Sequence, residues 1–154
     1  MIVNRQHRIR APLKELEVFL KDVQHRLGLS RREVTVCLVT DAEMARLNRT
    51  FRRKTGPTDV LSFPVYPERA FDGQRANGNG RSRGHSKASG YLGDIAIAPA
   101  VARRNAAENG RSLRNELRVL ILHGVLHLLG HDHESDNGEM ERLEERLRRR
   151  LGIE

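Results

Sequence analysis

The sequence predicts one α/β (α+β) domain, in which helices pack on a mixed, mostly four-stranded sheet. The length of 154 residues fits a single domain of ordinary size and not two. Short runs rich in β-branched residues are interspersed with segments in which apolar residues recur every three or four positions. The mixed order of these strands and helices is typical of a sheet covered by helices.

The first part of the chain predicts two strands separated by one helix. Ile2 and Val3 form a short strand. Between Pro12 and Leu27, apolar residues at spacings of three and four predict a helix. Proline suits its first turn and Gly28 its C-terminal end. The β-branched run from Val34 to Val39 predicts the second strand.

The next segment predicts a short helix and a third strand. Thr40 and Glu43 form a capping box, which opens a helix that ends near Asn48. A Gly-Pro turn follows, and the run from Asp59 to Phe63 predicts a strand that Pro64 stops.

Residues 68–90 are predicted to be a mobile loop between two strands of the same domain, which spans residues 1–154. The loop is rich in Gly, Arg, Ser and Asn, so it cannot bury enough apolar surface to offset the entropy of ordering it. A passive insertion is the preferred interpretation, and contact of its cations with RNA is the alternative. These cations are Arg75, Arg81, Arg83 and Lys87.

Beyond this loop the sequence predicts one strand and three helices. The strand runs from Tyr91 to Ala98, and Pro99 opens a helix that ends near Asn109. The helix from Ser112 to Leu129 has a middle that is apolar on nearly every side, which predicts that it is buried in the centre of the domain. A charged amphipathic helix from about Ser135 to Leu151 ends the chain.

Composition indicates a cytoplasmic location, and it leaves a polyanionic partner and a merely solvated basic surface equally open. The net charge is +8, and arginine, which dominates lysine, makes forked contacts to phosphate. No run approaches the roughly 18–20 apolar residues of a membrane span, and no apolar stretch of a signal peptide follows the N-terminal arginines. Cys37 is the single cysteine and is predicted to be a buried thiol.

Histidines on the buried helix predict a metal centre. His123 and His127 are four residues apart, so both imidazoles lie on one face of the helix and can reach one ion at about 2.0–2.1 Å. Gly130 can adopt the left-handed conformation that ends a helix and reverses the chain. The reversal brings His133 back as the third ligand.

Three neutral nitrogens without a thiolate favour one Zn²⁺ per chain. Three protein ligands leave a position for water, which is typical of a catalytic site. His131 is the rival of His133 for the third position, and His133 is preferred because it has a longer reach after the turn. Asp132 either supports a ligand imidazole or is a surface carboxylate.

The spacing H-x-x-x-H-x-x-G-x-x-H matches the metal-binding helix of metzincin peptidases. Those enzymes place a glutamate directly after the first histidine as general base, and Gly124 stands at that position here. A zinc peptidase is therefore disfavoured.

Three blocks of this sequence resemble the YbeY family of bacterial endoribonucleases. His123–His133 contains every fixed position of H-G-x-L-H-L-x-G-x-D-H. Leu47–Pro64 resembles L-N-x-x-[YF]-R-x-K-x-x-P-T-[DN]-V-L-S-F-P, and Leu92–Ile95 also fits. The blocks occur in the family's order, so the resemblance covers most of the chain from about Val34 onward.

The resemblance implies a metal-dependent endoribonuclease specific for single strands. It implies a role in ribosomal RNA maturation, notably at the 3′ end of small-subunit rRNA, and in ribosome quality control. It also places the family's functional arginine at Arg52, with Arg53 and Lys54 as weaker candidates. The expected partners are single-stranded RNA, rRNA and the ribosome. The alternative function is a ribosome-associated RNA-binding assembly factor with a structural zinc.

Overall fold

The computed structural model describes residues 1–65, 90–131 and 137–153. Within these residues, four strands form one sheet in the order β1-β2-β4-β3. β1, β2 and β4 are parallel, and β3 runs antiparallel to β4 at the edge. This mixed sheet confirms the predicted fold class, whereas nearly all of the predicted loop at residues 68–90 lies outside the described residues. The strands are β1 Ile2–Asn4, β2 Glu33–Leu38, β3 Val60–Pro64 and β4 Tyr91–Ile97.

Helices connect and follow these strands, and most of their bounds lie within two residues of those predicted. Thr40 caps the second helix through a bond from the Glu43 amide to its Oγ1 at 3.1 Å, and Ser112 caps the fourth in the same way. Gly28 has a positive φ just after the first helix, as predicted, and Gly110 has one just after the third. The helices are α1 Leu13–Arg26, α2 Asp41–Arg52, α3 Pro99–Glu108, α4 Leu113–Leu128 and α5 Glu139–Leu151.

Helix α2 continues one turn beyond the predicted end near Asn48. Asn48 is buried, and its side-chain amide donates to the carbonyl of Gly56 at 2.9 Å. The rings of Phe51 and Phe63 of β3 then pack edge-to-face, with ring centroids 5.1 Å apart. These contacts are made between elements, so local sequence signals could not reveal the additional turn.

Two other boundaries also differ from the prediction. Helix α5 begins at Glu139, four residues later than expected, because Gly138 in front of it has a left-handed φ of +87°. Strand β3 ends at Pro64, so this proline is the last residue of the strand and not the first residue after it. A proline is tolerated there because β3 is an edge strand, where one side needs no backbone donor.

The two faces of the sheet carry different layers of helices. Alternate strand residues point to opposite faces, so Ile95 and Ile97 of β4 pack into a large core with α1, α4 and α5. Leu61 and Ala96 point the other way and pack with Met44 of α2. Helix α4 contacts α1, α3, α5, β3 and β4, so it is the buried central helix that the sequence predicted. In the described part of the chain, no helix is long and apolar enough to cross a bilayer.

Candidate metal centre

Helix α4 brings two histidines together on one of its faces. Nε2 of His123 lies 3.0 Å from Nε2 of His127, and the ring centroids are 4.5 Å apart. Two tetrahedral zinc ligands, each about 2.05 Å from the ion, are about 3.3 Å apart. The two nitrogens are therefore already close to the separation that a shared ion requires.

A buried carboxylate fixes the first of these imidazoles. Oε1 of Glu144, on α5, accepts a hydrogen bond from Nδ1 of His123 at 2.7 Å, and Glu144 is only 6% exposed. Arg148 donates to the other carboxylate oxygen at 2.9 Å. A carboxylate partner on Nδ1 favours the tautomer with the ring proton on that nitrogen, and it turns Nε2 of His123 toward His127, as in a metal-binding imidazole.

Glu144 was not predicted as a site residue, although the sequence carries a signal for it. The inner stripe of the last helix consists of Met140, Leu143, Leu147 and Leu151, and Glu144 is four residues after the first of these. A carboxylate at this spacing falls among core-facing positions, where it needs a buried partner. Such a position marks a candidate supporting group for a site on the neighbouring helix.

Gly124, which directly follows His123 in α4, lies against the sheet. A Cβ atom on Gly124 would be 2.8 Å from both Cδ1 and Cγ2 of Ile95. Ser62 of β3 also donates its hydroxyl to the Gly124 carbonyl at 3.3 Å. The position at which metzincins carry their general base is therefore closed to a side chain, which strengthens the argument against a peptidase.

The turn that ends α4 has the predicted geometry. Gly130 has a φ of +95°, and its amide donates to the carbonyl of His127 at 2.9 Å. The amide of His131 donates to the carbonyl of Leu126 at 3.1 Å. This pair of bonds is a Schellman motif, in which a left-handed residue reverses the chain after the helix.

The third ligand lies beyond this turn. His133 and Asp132 are outside the described residues, so the assignment of His133, and its preference over His131, stay predictions. Among the described residues, no group of three or more His, Cys, Asp or Glu side chains is placed to hold a metal. The chemistry of the described pair nevertheless fits zinc, because two imidazole nitrogens converge and a carboxylate orients one of them.

Arg52 lies apart from the histidine pair. It is the exposed last residue of α2, and α2 packs on the face of the sheet opposite to α4. Within the described residues, no hydrogen bond or ion pair joins Arg52 to either histidine. Arg53 and Lys54 are exposed beside it. The helix that carries Arg52 and the helix that carries the two described histidines thus lie on opposite faces of the sheet.

The fold and the histidine pair together define an α+β protein with two converging imidazoles on a buried helix. A sequence model for the family described as Endoribonuclease YbeY matches residues 1–152. The chain belongs to the Endoribonuclease YbeY family, a family of enzymes that hydrolyse RNA.

Individual relatives support this assignment. The Endoribonuclease YbeY of Koribacter versatilis (strain Ellin345) is 44% identical over 140 residues, which cover 91% of this chain and 78% of that protein. The protein of the same name from Solibacter usitatus (strain Ellin6076) is 47% identical over 113 residues, which cover 73% of this chain and 62% of that protein. The solution structure of TM1509 from Thermotoga maritima has a TM-score of 0.60 and 27% identity, covering 95% of this chain and 85% of that one.

Proposed function

We propose that this protein is a zinc-dependent endoribonuclease that cuts single-stranded RNA, with His123, His127 and His133 as the zinc ligands. The observation that carries the proposal is the 3.0 Å approach of the His123 and His127 Nε2 atoms in a member of an endoribonuclease family. The net charge of +8 supports a polyanionic substrate, since each neutralised phosphate releases counterions.

The residues of the chain have separate tasks in this proposal. A bound zinc ion supplies a Lewis acid for a phosphate oxygen and lowers the pKa of water. Glu144 holds the His123 ring in the orientation and tautomer that a ligand needs. Arg52 neutralises negative charge that grows on the reacting phosphate, which is the electrostatic contribution that a guanidinium makes to phosphoryl transfer.

The proposed biological substrate is ribosomal RNA in the cytoplasm. The protein would act in the 3′-end maturation of small-subunit rRNA and in ribosome quality control, with the ribosome as its partner. The second candidate, an RNA-binding assembly factor with a structural zinc, is favoured by one observation: an exposed cluster of cations at the end of α2, on the side of the sheet away from the histidines.

Metal analysis coupled to a cleavage assay tests the proposal. Purified wild type should contain zinc and cut single-stranded RNA faster than duplex RNA. His127→Ala should lose both zinc and cleavage, whereas Arg52→Ala should keep zinc and lose cleavage. His25→Ala, which removes an exposed histidine from α1, is the matched control and should keep both.

Two outcomes would contradict the proposal. Cleavage by His127→Ala at the wild-type rate would exclude the metal site. If zinc-loaded wild type binds RNA without turnover, and this binding survives chelation, the assembly factor is the better description.

A further inference from the structure

The C-terminal end of α2 exposes an aromatic ring among cations. Residues 49–54 are all exposed, and Phe51 is 61% exposed. We call this the α2-end surface. It consists of Arg49, Phe51, Arg52, Arg53 and Lys54.

The Phe51 ring is exposed but supported. Its edge-to-face contact with Phe63 has an interplanar angle of 73°, and Phe63, a residue of β3, packs against the core around Met44 and Leu61. Phe51 is thus held against the sheet, while more than half of the residue remains exposed to solvent. A flat, exposed, supported aromatic is the platform on which proteins stack unpaired bases.

The cations around Phe51 form no ion pair with any residue that the structure describes. Within the described residues, no carboxylate lies within 4.0 Å of Arg49, Arg52, Arg53 or Lys54. Arg46, one turn earlier on the same helix, is paired with Glu43 at 3.4 Å. The charge at the end of α2 is therefore available to a ligand.

Arg53 also has an unusual backbone conformation. Its φ is +54°, and in the part of the chain that the structure describes it is the one non-glycine residue with positive φ. The left-handed conformation ends α2, with the Arg53 amide bonded to the Asn48 carbonyl. Glycine adopts this conformation without steric cost, so a long cationic side chain here is retained against local preference.

We propose that the α2-end surface binds single-stranded RNA, with an unpaired base stacked on Phe51 and flanking phosphates on Arg49, Arg53 and Lys54. The inference rests on the proposed function, and it assigns a residue that selects single strands. A base in a duplex is stacked on its neighbours and offers no free face to Phe51. Stacking also accepts any base, so the contact selects strandedness and not sequence.

The position of the α2-end surface fits an RNA strand that also reaches the two histidines. Phe63, which supports Phe51, is adjacent in β3 to Ser62, whose hydroxyl bonds to the Gly124 carbonyl beside His123. The base platform and the candidate metal centre therefore lie on opposite sides of the same edge strand. In this proposal, one RNA strand that passes around β3 would contact both.

Binding of metal-free protein to RNA tests the inference independently of cleavage. Fluorescence anisotropy with a short labelled single strand and with the matching duplex gives both dissociation constants. Phe51→Ala should raise the single-strand Kd by about fivefold to 150-fold, while Phe51→Trp keeps it near the wild-type value. The duplex Kd should change less than the single-strand Kd. Val18→Ala, which truncates an apolar side chain that is 68% exposed on α1, is the control and should change neither.

Arg53→Gly separates binding from a structural role. The variant should raise the melting temperature, because glycine suits the positive φ, and yet weaken single-strand binding and reduce the slope of log Kd against log salt by about one. Arg10→Ala, in the exposed segment after β1 at the other edge of the sheet, removes the same charge and should leave single-strand affinity within twofold of wild type.

Three results would overturn the inference. They are an unchanged single-strand Kd in Phe51→Ala, an equal loss of duplex binding in that variant, and unchanged affinity in Arg53→Gly. If Phe51→Ala weakens binding but the wild type cuts no RNA, the surface stands and the proposed nuclease activity fails.

Discussion

Glu144 accepts a hydrogen bond from Nδ1 of His123 at 2.7 Å, which connects the last helix of the chain to the helix that carries the candidate metal centre. The carboxylate is buried and is held in place by Arg148 from the next turn of α5. A ligand imidazole that is bonded in this way loses little orientational freedom when it binds an ion.

Removal of this carboxylate should weaken zinc binding. Glu144→Leu should lower zinc affinity by about 10- to 100-fold, because the His123 ring loses the acceptor that fixes its tautomer. Glu144→Gln should lose less zinc affinity, since its amide oxygen still accepts a hydrogen bond from Nδ1 of His123. Competition with a chromogenic chelator measures the affinity, and Glu145→Gln, on the exposed face of the same helix, is the control. Wild-type affinity in a folded Glu144→Leu protein would refute the positioning role.

Zinc should stabilise the folded wild type. An ion that binds only the folded state adds about 2.7 kcal/mol to the free energy of unfolding at 100 times its Kd. Thermal unfolding with added zinc or with chelator measures this shift. His127→Ala should show little response because one of the converging nitrogens is missing. A full zinc response in His127→Ala would place the stabilising ion elsewhere.

The local parts of this architecture could be predicted from sequence. The apolar α4, the histidine spacing and the turn at Gly130 each depend on residues within one or two helical turns, and all three are present. Propensity and periodicity report such short-range relationships directly.

Relationships between elements were harder to predict. The pairing of Glu144 with His123 depends on how α5 packs on α4, and the face on which Arg52 lies depends on the side of the sheet that α2 covers. The additional turn of α2 depends on Phe51 meeting Phe63 of β3. None of these three relationships can be predicted from local spacing, because each depends on how the helices pack on the sheet.

Gly124→Ala should destabilise the fold. The new Cβ would be 2.8 Å from two atoms of Ile95, and overpacking of this kind costs about 1–3 kcal/mol, more than the roughly 0.5–1 kcal/mol that alanine contributes to a helix. In an Ile95→Ala background the obstructing atoms are absent, so Gly124→Ala should stabilise. Urea unfolding of the four proteins gives the coupling energy. Equal effects of Gly124→Ala in both backgrounds would show that the contact does not limit this position.

The thiol of Cys37 should react slowly at neutral pH. Partial burial, followed by the nearby Asp94 carboxylate, raises the pKa of Cys37 above its ordinary value of 9.0. Alkylation by iodoacetamide should therefore have a pH midpoint above that of the urea-unfolded chain, and Asp94→Asn should lower it. A midpoint equal to that of the unfolded chain would show that folding does not raise the pKa of Cys37.

The same shift has a consequence for stability. The pKa of Cys37 is higher in the folded state than in the unfolded state. The stability that its protonated thiol contributes is therefore fully present below the unfolded-state pKa and is lost as the pH rises through the folded-state pKa. Burial and a hydrogen bond to Asp94 raise the pKa of Tyr91 as well. Both groups should make the fold less stable above about pH 9, which urea unfolding across alkaline pH measures.

The contact between Gly124 and Ile95 also bears on how this kind of site evolves. A single codon change from glycine to glutamate would supply the base that a peptidase needs, but here its Cβ would collide with the side chain of Ile95. At this histidine spacing, the space between α4 and β4 therefore decides whether the position after the first histidine can carry a glutamate. A change from glycine to glutamate at position 124 would first require a smaller side chain at position 95.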